Sequence, residues 1–272
     1  MRLPAACAAL ATLFAACSTT TFAEPRILVS PYLALYRVRG DAALQSQPVP
    51  GTFQDNAAQN LRSFGQERYK EDVGVRADIG DGFAGARIDW CQLDMNTSHT
   101  GVLGADWGNL LQGDTVRAKV TMDELRLGLC ESLGTLRTSW RDQPLTFRFA
   151  GGGVVAHRDF DVRGRTDDGT RTQNVEIEGD LVYVAARARA TWRDFAVDAE
   201  YAICPELELR GDFDGVLHDL ELRASWTMPL HDVTFFAGWR LSTLQGKGEA
   251  NNLAYDADLT VDGFQLGLSV TF

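Results

Sequence analysis

Phe264-Gln265-Leu266-Gly267-Leu268-Ser269-Val270-Thr271-Phe272 ends the chain, and its alternation decides the fold class. Phe264, Leu266, Leu268, Val270 and Phe272 fall on one face of an extended strand, and Gln265, Gly267, Ser269 and Thr271 on the other. A period of two is the signature of a β-strand with one apolar side. The same period recurs upstream. In 233–242 the apolar face is Val233, Phe235, Ala237, Trp239 and Leu241, with Phe236 out of phase. In 195–203 it is Phe195, Val197, Ala199, Tyr201 and Ile203. In 182–192 it is Val182, Val184, Ala186, Ala188, Ala190 and Trp192.

Turn signals punctuate these runs. Tight turns are expected at Asp81-Gly82, Arg141-Asp142-Gln143, Arg193-Asp194 and Pro229-Leu230-His231, with longer polar connections at 41–68, 95–114, 159–172, 211–215 and 246–253. Short turns at one end and longer loops at the other describe an up-and-down antiparallel meander. Ten strands are expected, at 26–39, 69–80, 83–94, 115–139, 144–158, 173–192, 195–210, 216–228, 232–245 and 255–272; eight or twelve also fit. The fourth loses phase between Leu133 and Leu136, which predicts a bulge or an extra turn.

Composition narrows the class. The 272 residues are 45% hydrophobic and 23% charged, with 26 Gly and 8 Pro lacking any period, which excludes collagen, coiled coil and disorder. A net charge of −11 argues against nucleic acid as a partner. At the N-terminus, Arg2 and the 14-residue apolar run Leu3–Ala16 are too short for a membrane-spanning helix and read as a secretory signal peptide, 1–23, cleaved after Thr21-Phe22-Ala23. Residues 24–272 are then one domain, and the loss of Arg2 leaves it at −12. Phe14-Ala15-Ala16-Cys17 is similar to a bacterial lipobox, which would lipidate Cys17, with Phe14 where that pattern prefers Leu.

Two architectures compete: a secreted β-sandwich with its apolar face in a core, and a transmembrane β-barrel with that face towards lipid. The polar faces are too charged for a short-strand sandwich and carry the Gly and Ala that a narrow lumen needs. Aromatics on the apolar faces sit at two heights. Trp140, Trp192, Phe195, Trp226, Phe235 and Phe272 lie near the short turns or the C-terminus, and Trp90, Tyr201, Trp239 and Phe264 lie about eight residues further along, a climb of about 21 Å at ~40° tilt. The signal peptide, the meander and the terminal strand ending in Phe272 resemble the small bacterial outer-membrane β-barrel proteins of the OmpA/OmpX type. That resemblance implies residence in the outer membrane, lipid and lipopolysaccharide as surroundings, and assembly-machinery recognition of the C-terminal strand.

Parity places Arg76, Arg87, Arg148, Arg187, Arg189, Arg223 and Arg240 in the lumen with Asp78, Asp89, Asp198, Glu200 and Glu221. The Arg193-Asp194 turn sets Arg189 opposite Asp198 and Arg187 opposite Glu200. A two-residue Asp81-Gly82 turn sets Asp78 diagonal to Arg87 and Arg76 diagonal to Asp89. Desolvated ions need partners, so the expectation is a side-chain-filled lumen with a structural, interaction or minor transport role. A selective pore lined by arginines is the alternative.

Candidate chemistry is sparse, and no enzyme activity, cofactor or metal is expected; an envelope barrel enzyme, a lipid hydrolase or protease with its site at the extracellular rim, is the second alternative. Ser98-His99 lies in an outer loop and is part of no wider hydrolase motif. Asp212, Asp214 and His218-Asp219 supply the residue types that ten-stranded outer-membrane proteases place at their rim. Arg210-Gly211-Asp212 matches an integrin-type tripeptide. The acidic loop Asp159–Thr172 offers carboxylates for divalent cations without EF-hand spacing. Cys91, Cys130 and Cys204 point inward; Cys91 and Cys130 on neighbouring strands suggest a disulfide in an oxidising periplasm.

Overall fold

The computed structural model describes residues 26–66, 68–96, 99–205, 213–229 and 232–272. Cys17, the signal peptide, Ser98, the Arg210-Gly211-Asp212 tripeptide and Leu230-His231 lie outside them. Ten long antiparallel strands form the wall: β1 (Arg26–Leu44), β2 (Lys70–Gly80), β3 (Gly85–Asn96), β4 (Thr115–Trp140), β5 (Gln143–Thr166), β6 (Thr172–Trp192), β7 (Phe195–Cys204), β8 (Phe213–Thr227), β9 (Val233–Ala250) and β10 (Leu253–Thr271). Each pairs with its chain neighbours, and β10 pairs with β1 to close the ring. Closure removes every sheet edge within the band that faces lipid, where an unpaired peptide group has no water to bind.

The register fixes the tilt. Following cross-strand partners from Ile27 through Ile79, Ala86, Leu129, Gly153, Val184, Ile203, His218, Thr243 and Thr260 leads back to Arg39, twelve residues further along β1. A shear of twelve over ten strands, at about 4.8 Å between strands and 3.4 Å per residue, tilts the strands by about 40°.

The apolar faces point outward. Leu33, Val184, Val197, Leu266 and Phe264 are all more than half exposed, while Arg76, Asp78, Asp89, Arg187 and Arg240 are buried inside. The two aromatic heights appear as neighbouring ring pairs, Trp140–Trp192 and Trp226–Phe235 at the lower level and Tyr69–Phe264 at the upper. Phe236, out of phase with its apolar neighbours, points into the lumen and is buried.

Several connections differ from expectation. The strands around 159–172 and 246–253 continue beyond the lipid band; the first loop shrinks to 167–171, and Asn251-Asn252 makes a two-residue turn with φ of 55° and 62°. Asparagine tolerates that left-handed conformation, which suits a hairpin turn. Above the band the pattern inverts without changing parity. Val116, Ala118, Val120 and Met122 point in and are buried, whereas Arg117 and Asp123 point out. A polar outer face therefore marks emergence from lipid here, not a loop. The predicted bulge is present, between Ser132 and Gly134.

Candidate functional site

The lumen is built in layers. At the short-turn end the chain turns over four residues, Asp81–Ala84, with Gly80 opposite Gly85. Asp81 accepts hydrogen bonds from the backbone N–H of Phe83 (3.0 Å) and Ala84 (2.8 Å) and from Arg148. This folds Phe83 into the mouth, where its ring meets the guanidiniums of Arg148 (4.8 Å) and Arg189 (5.1 Å). Arg187 donates to the Phe83 carbonyl (3.1 Å), and Arg189 to that of Gly82 (3.0 Å). Arg148 thus belongs to the lower mouth.

The longer turn also corrects the expected diagonal pairing, because two extra residues shift the register by one step. Asp78 stands directly opposite Arg87, and Arg76 opposite Asp89. Arg87 reaches Asp78 and Glu200 at 2.6 Å each. Arg76 donates to Asp89 (2.7 Å) and, from the other side of the lumen, Glu221 (2.7 Å). The pairs across the Arg193-Asp194 turn stand as expected, Arg189 with Asp198 (2.5 Å) and Arg187 with Glu200 (2.7 Å, without hydrogen-bond alignment). Arg223 rests on the Phe236 ring at 4.3 Å.

A second layer, to which the sequence offered little guide, lies above. Glu124 is fully buried and gathers Arg126, Arg158 (3.2 Å) and Arg240 (2.9 Å). Asp219 bonds Arg126 as well and lies 3.7 and 3.6 Å from Arg158 and Arg240. Tyr183 lies under Arg126 at 5.2 Å, and Gln265 donates to the Tyr36 hydroxyl (2.5 Å). Even parity from Val116 to Cys130 was the available signal for Glu124 and Arg126. The uncertain phase of β4 obscured it.

Above both layers an apolar plug closes the bore. The 3-10 turn Leu61–Phe64 drops Phe64 edge-on against Trp107 (centroids 5.1 Å apart), beside Leu93, Met95, Leu110 and Phe160, all buried. Gln66 ties this loop to the wall by donating to the carbonyls of Met95 and Ala118. Two cavities among the charged side chains of the lower layer measure about 20 and 10 Å³, room for about one water each.

Among the described residues the candidate pair His218-Asp219 is divided between the two faces of its strand. His218 faces outward, its Nδ1 2.7 Å from the Tyr201 hydroxyl, while Asp219 faces the lumen, as adjacent strand residues must. His157 and Asp180 meet at 2.9 Å on the exposed outer wall. The disulfide is also corrected. Cys91 sits opposite Glu124 and Cys130 opposite Gly85, and both are free, buried thiols. That register separates them by six residues, about 20 Å along the strands, against a limit near 7 Å between bridged Cα atoms.

No protein-family model matches the chain, and no curated protein matches it in sequence. Solved structures do resemble it. The outer membrane protease OmpT from Escherichia coli superposes with a TM-score of 0.52 at 10% identity, covering 93% of this chain and 99% of that one. The Pseudomonas putida toluene transporter TodX (TM-score 0.30, 7% identity, 92% and 90% covered) and a Pseudomonas aeruginosa FadL homologue (0.26, 10%, 92% and 90%) match far more loosely. The likeness to OmpT is one of fold. With the closed ring and the lipid-facing band, it makes this chain an antiparallel transmembrane β-barrel of the bacterial outer membrane.

Proposed function

We propose that the chain is a structural or interaction barrel of the outer membrane, closed to solutes, that acts through the wall and loops it presents outside. The carrying observation is the filled bore: two layers of cross-wall ion pairs, Phe83 in the lower mouth and the Phe64–Trp107 layer above. Wide aqueous channels belong to barrels of about 16 strands or more; ten strands leave a bore that side chains can fill. This reading keeps the chain with the small, side-chain-filled barrels of the OmpA/OmpX type and sets aside the arginine-lined pore.

Planar-bilayer recording of the refolded barrel tests it. The expected trace is electrically silent or shows only rare, brief openings. A steady, ion-selective conductance would replace this reading with the channel.

A further inference from the structure

We infer that the outer wall carries a binding cleft for a phosphate-rich polyanion presented from outside the cell. The inference rests on placing the plugged, long-loop end outward, since outer-membrane barrels keep short turns on the periplasmic side and longer loops outside.

On β4 and β5 the register sets Arg117 directly opposite Arg165 and Lys119 directly opposite Arg163. All four sit at outward parity. Cβ atoms of directly opposed residues are about 5 Å apart, and like charges there destabilise a sheet. Two such pairs at successive outward positions concentrate positive charge in a chain whose net charge is −11. The local carboxylates offset it incompletely. Asp167 holds Arg117 at 2.5 Å and Asp94 holds Lys119 at 3.1 Å, but Asp161 approaches Arg163 only to 3.9 Å, and no carboxylate among the described residues pairs with Arg165. The four cations border a concavity of about 370 Å³ with Asn96, Thr166 and Asp167 on its walls, a volume in the range of small-ligand sites. Three of the four are arginines, whose planar N–H forks match phosphate oxygens in two-point contacts.

The height of the cleft selects the source of the anion. On β4 the outward apolar residues end at Leu125, and Lys119 is six residues beyond, about 15 Å further from the lipid at the barrel's tilt. Between them runs an acidic belt in register across three strands, with Asp123, Asp159 and Glu178 in one row and Asp161 and Glu176 in the next. That belt repels phosphates at the level of the membrane's own headgroups. The cleft faces outward above it, so a soluble or surface-borne polymer reaches it and a lipid in the same leaflet does not.

Isothermal titration of the folded, detergent-solubilised barrel with tripolyphosphate at low salt is the test. Binding is expected to weaken as salt rises, and Arg163→Gln with Arg165→Gln should weaken it by about tenfold or more. Both side chains are exposed, so the double variant should keep the heat-modifiable mobility of a folded barrel. No binding to the wild type, or equal binding to the double variant, would overturn the inference. A second arm embeds the barrel in vesicles rich in anionic phospholipid. Tripolyphosphate binding should persist there; its abolition by the embedded headgroups would assign the cleft to the membrane's own lipid and overturn the external ligand. Neither result depends on conductance, so failure here and failure of the closed-barrel reading are separate outcomes.

Discussion

Arg76 of β2 and Glu221 of β8 meet across the lumen in a two-point contact, Nη1 to Oε1 at 2.8 Å and Nη2 to Oε2 at 2.7 Å. Neighbouring strands are joined by their backbone ladders in any case; this contact, like Arg87–Glu200 and Glu124–Arg240, joins opposite walls. A buried charge left wholly uncompensated costs about 3–5 kcal/mol; without Glu221, Arg76 keeps only Asp89 (2.7 Å), so a loss below that range is expected. Glu221→Ala should therefore lower the temperature at which the compact gel species converts to the unfolded one, and lower the urea midpoint. An unchanged midpoint would mean that water already solvates Arg76.

Glu200 receives Arg87 (2.6 Å) and Arg187 (2.7 Å) on the same oxygen, Oε2. Glu200→Ala should destabilise the barrel by about 3–5 kcal/mol and increase brief openings in bilayers. The exchange Arg187→Glu with Glu200→Arg should recover only part of the loss, because Arg87 would then oppose a second guanidinium. Full recovery would show that Arg87 contributes nothing at Glu200.

What the sequence made legible, and what it did not, follows from the environment of each strand. Inside the bilayer every outward residue must be apolar, so alternation was clear at Phe264–Phe272 and at Phe195–Ile203, and the pairing across Arg193-Asp194 followed directly. Above the bilayer Val116, Ala118, Val120 and Met122 turn inward while charges face water, and the sense of the pattern inverts. Tracking apolar faces alone then suggests polar loops where β5, β6, β9 and β10 continue. The upper layer was hidden for a related reason. Glu124 and Asp219 are single carboxylates serving several arginines from distant strands, and no local pairing rule brings β4, β5, β8 and β9 together.

The seam between the first and last strands predicts the effect of truncation. The Phe272 N–H donates to the Ile27 carbonyl (2.9 Å), and the Ile27 N–H donates back at 3.3 Å. Phe272 itself is 75% exposed towards lipid, so little core packing is lost without it. Deleting Phe272 should reduce the yield of assembled barrel in the outer membrane while barely changing the thermal stability of what does assemble. Unchanged yield would separate the terminal residue from assembly.

The cysteine geometry gives a countable outcome. Cys91, Cys130 and Cys204 are free and buried. A chain processed after Ala23 should show three reactive thiols once unfolded without reductant, and few or none while folded. A single reactive thiol on unfolding would restore a disulfide and require a β3–β4 register six residues away from the one described.

The loop that borders the basic cleft carries a pH signature. Asp168 is exposed, yet the Thr166 hydroxyl (2.6 Å), the Thr170 N–H (3.0 Å) and the Thr170 hydroxyl (2.9 Å) donate to it and pull its pKa down to about 2. Hydrogen bonds to the ionised form favour that form. Because the folded value lies below the ordinary one near 3.9, the carboxylate's contribution to loop order is complete above about pH 4 and is lost as pH falls through about 2. The same five residues, 167–171, set Asp167 against Arg117 and lay Gly169 beneath the Arg165 guanidinium. Carboxyl NMR of the micelle-bound barrel should give an Asp168 midpoint near 2, with the Thr170 amide resonance following it. Asp168→Asn should abolish that transition and broaden the loop's amide signals at neutral pH. A midpoint near 4, with an unchanged Thr170 signal in the variant, would mean that the turn holds its shape without the carboxylate.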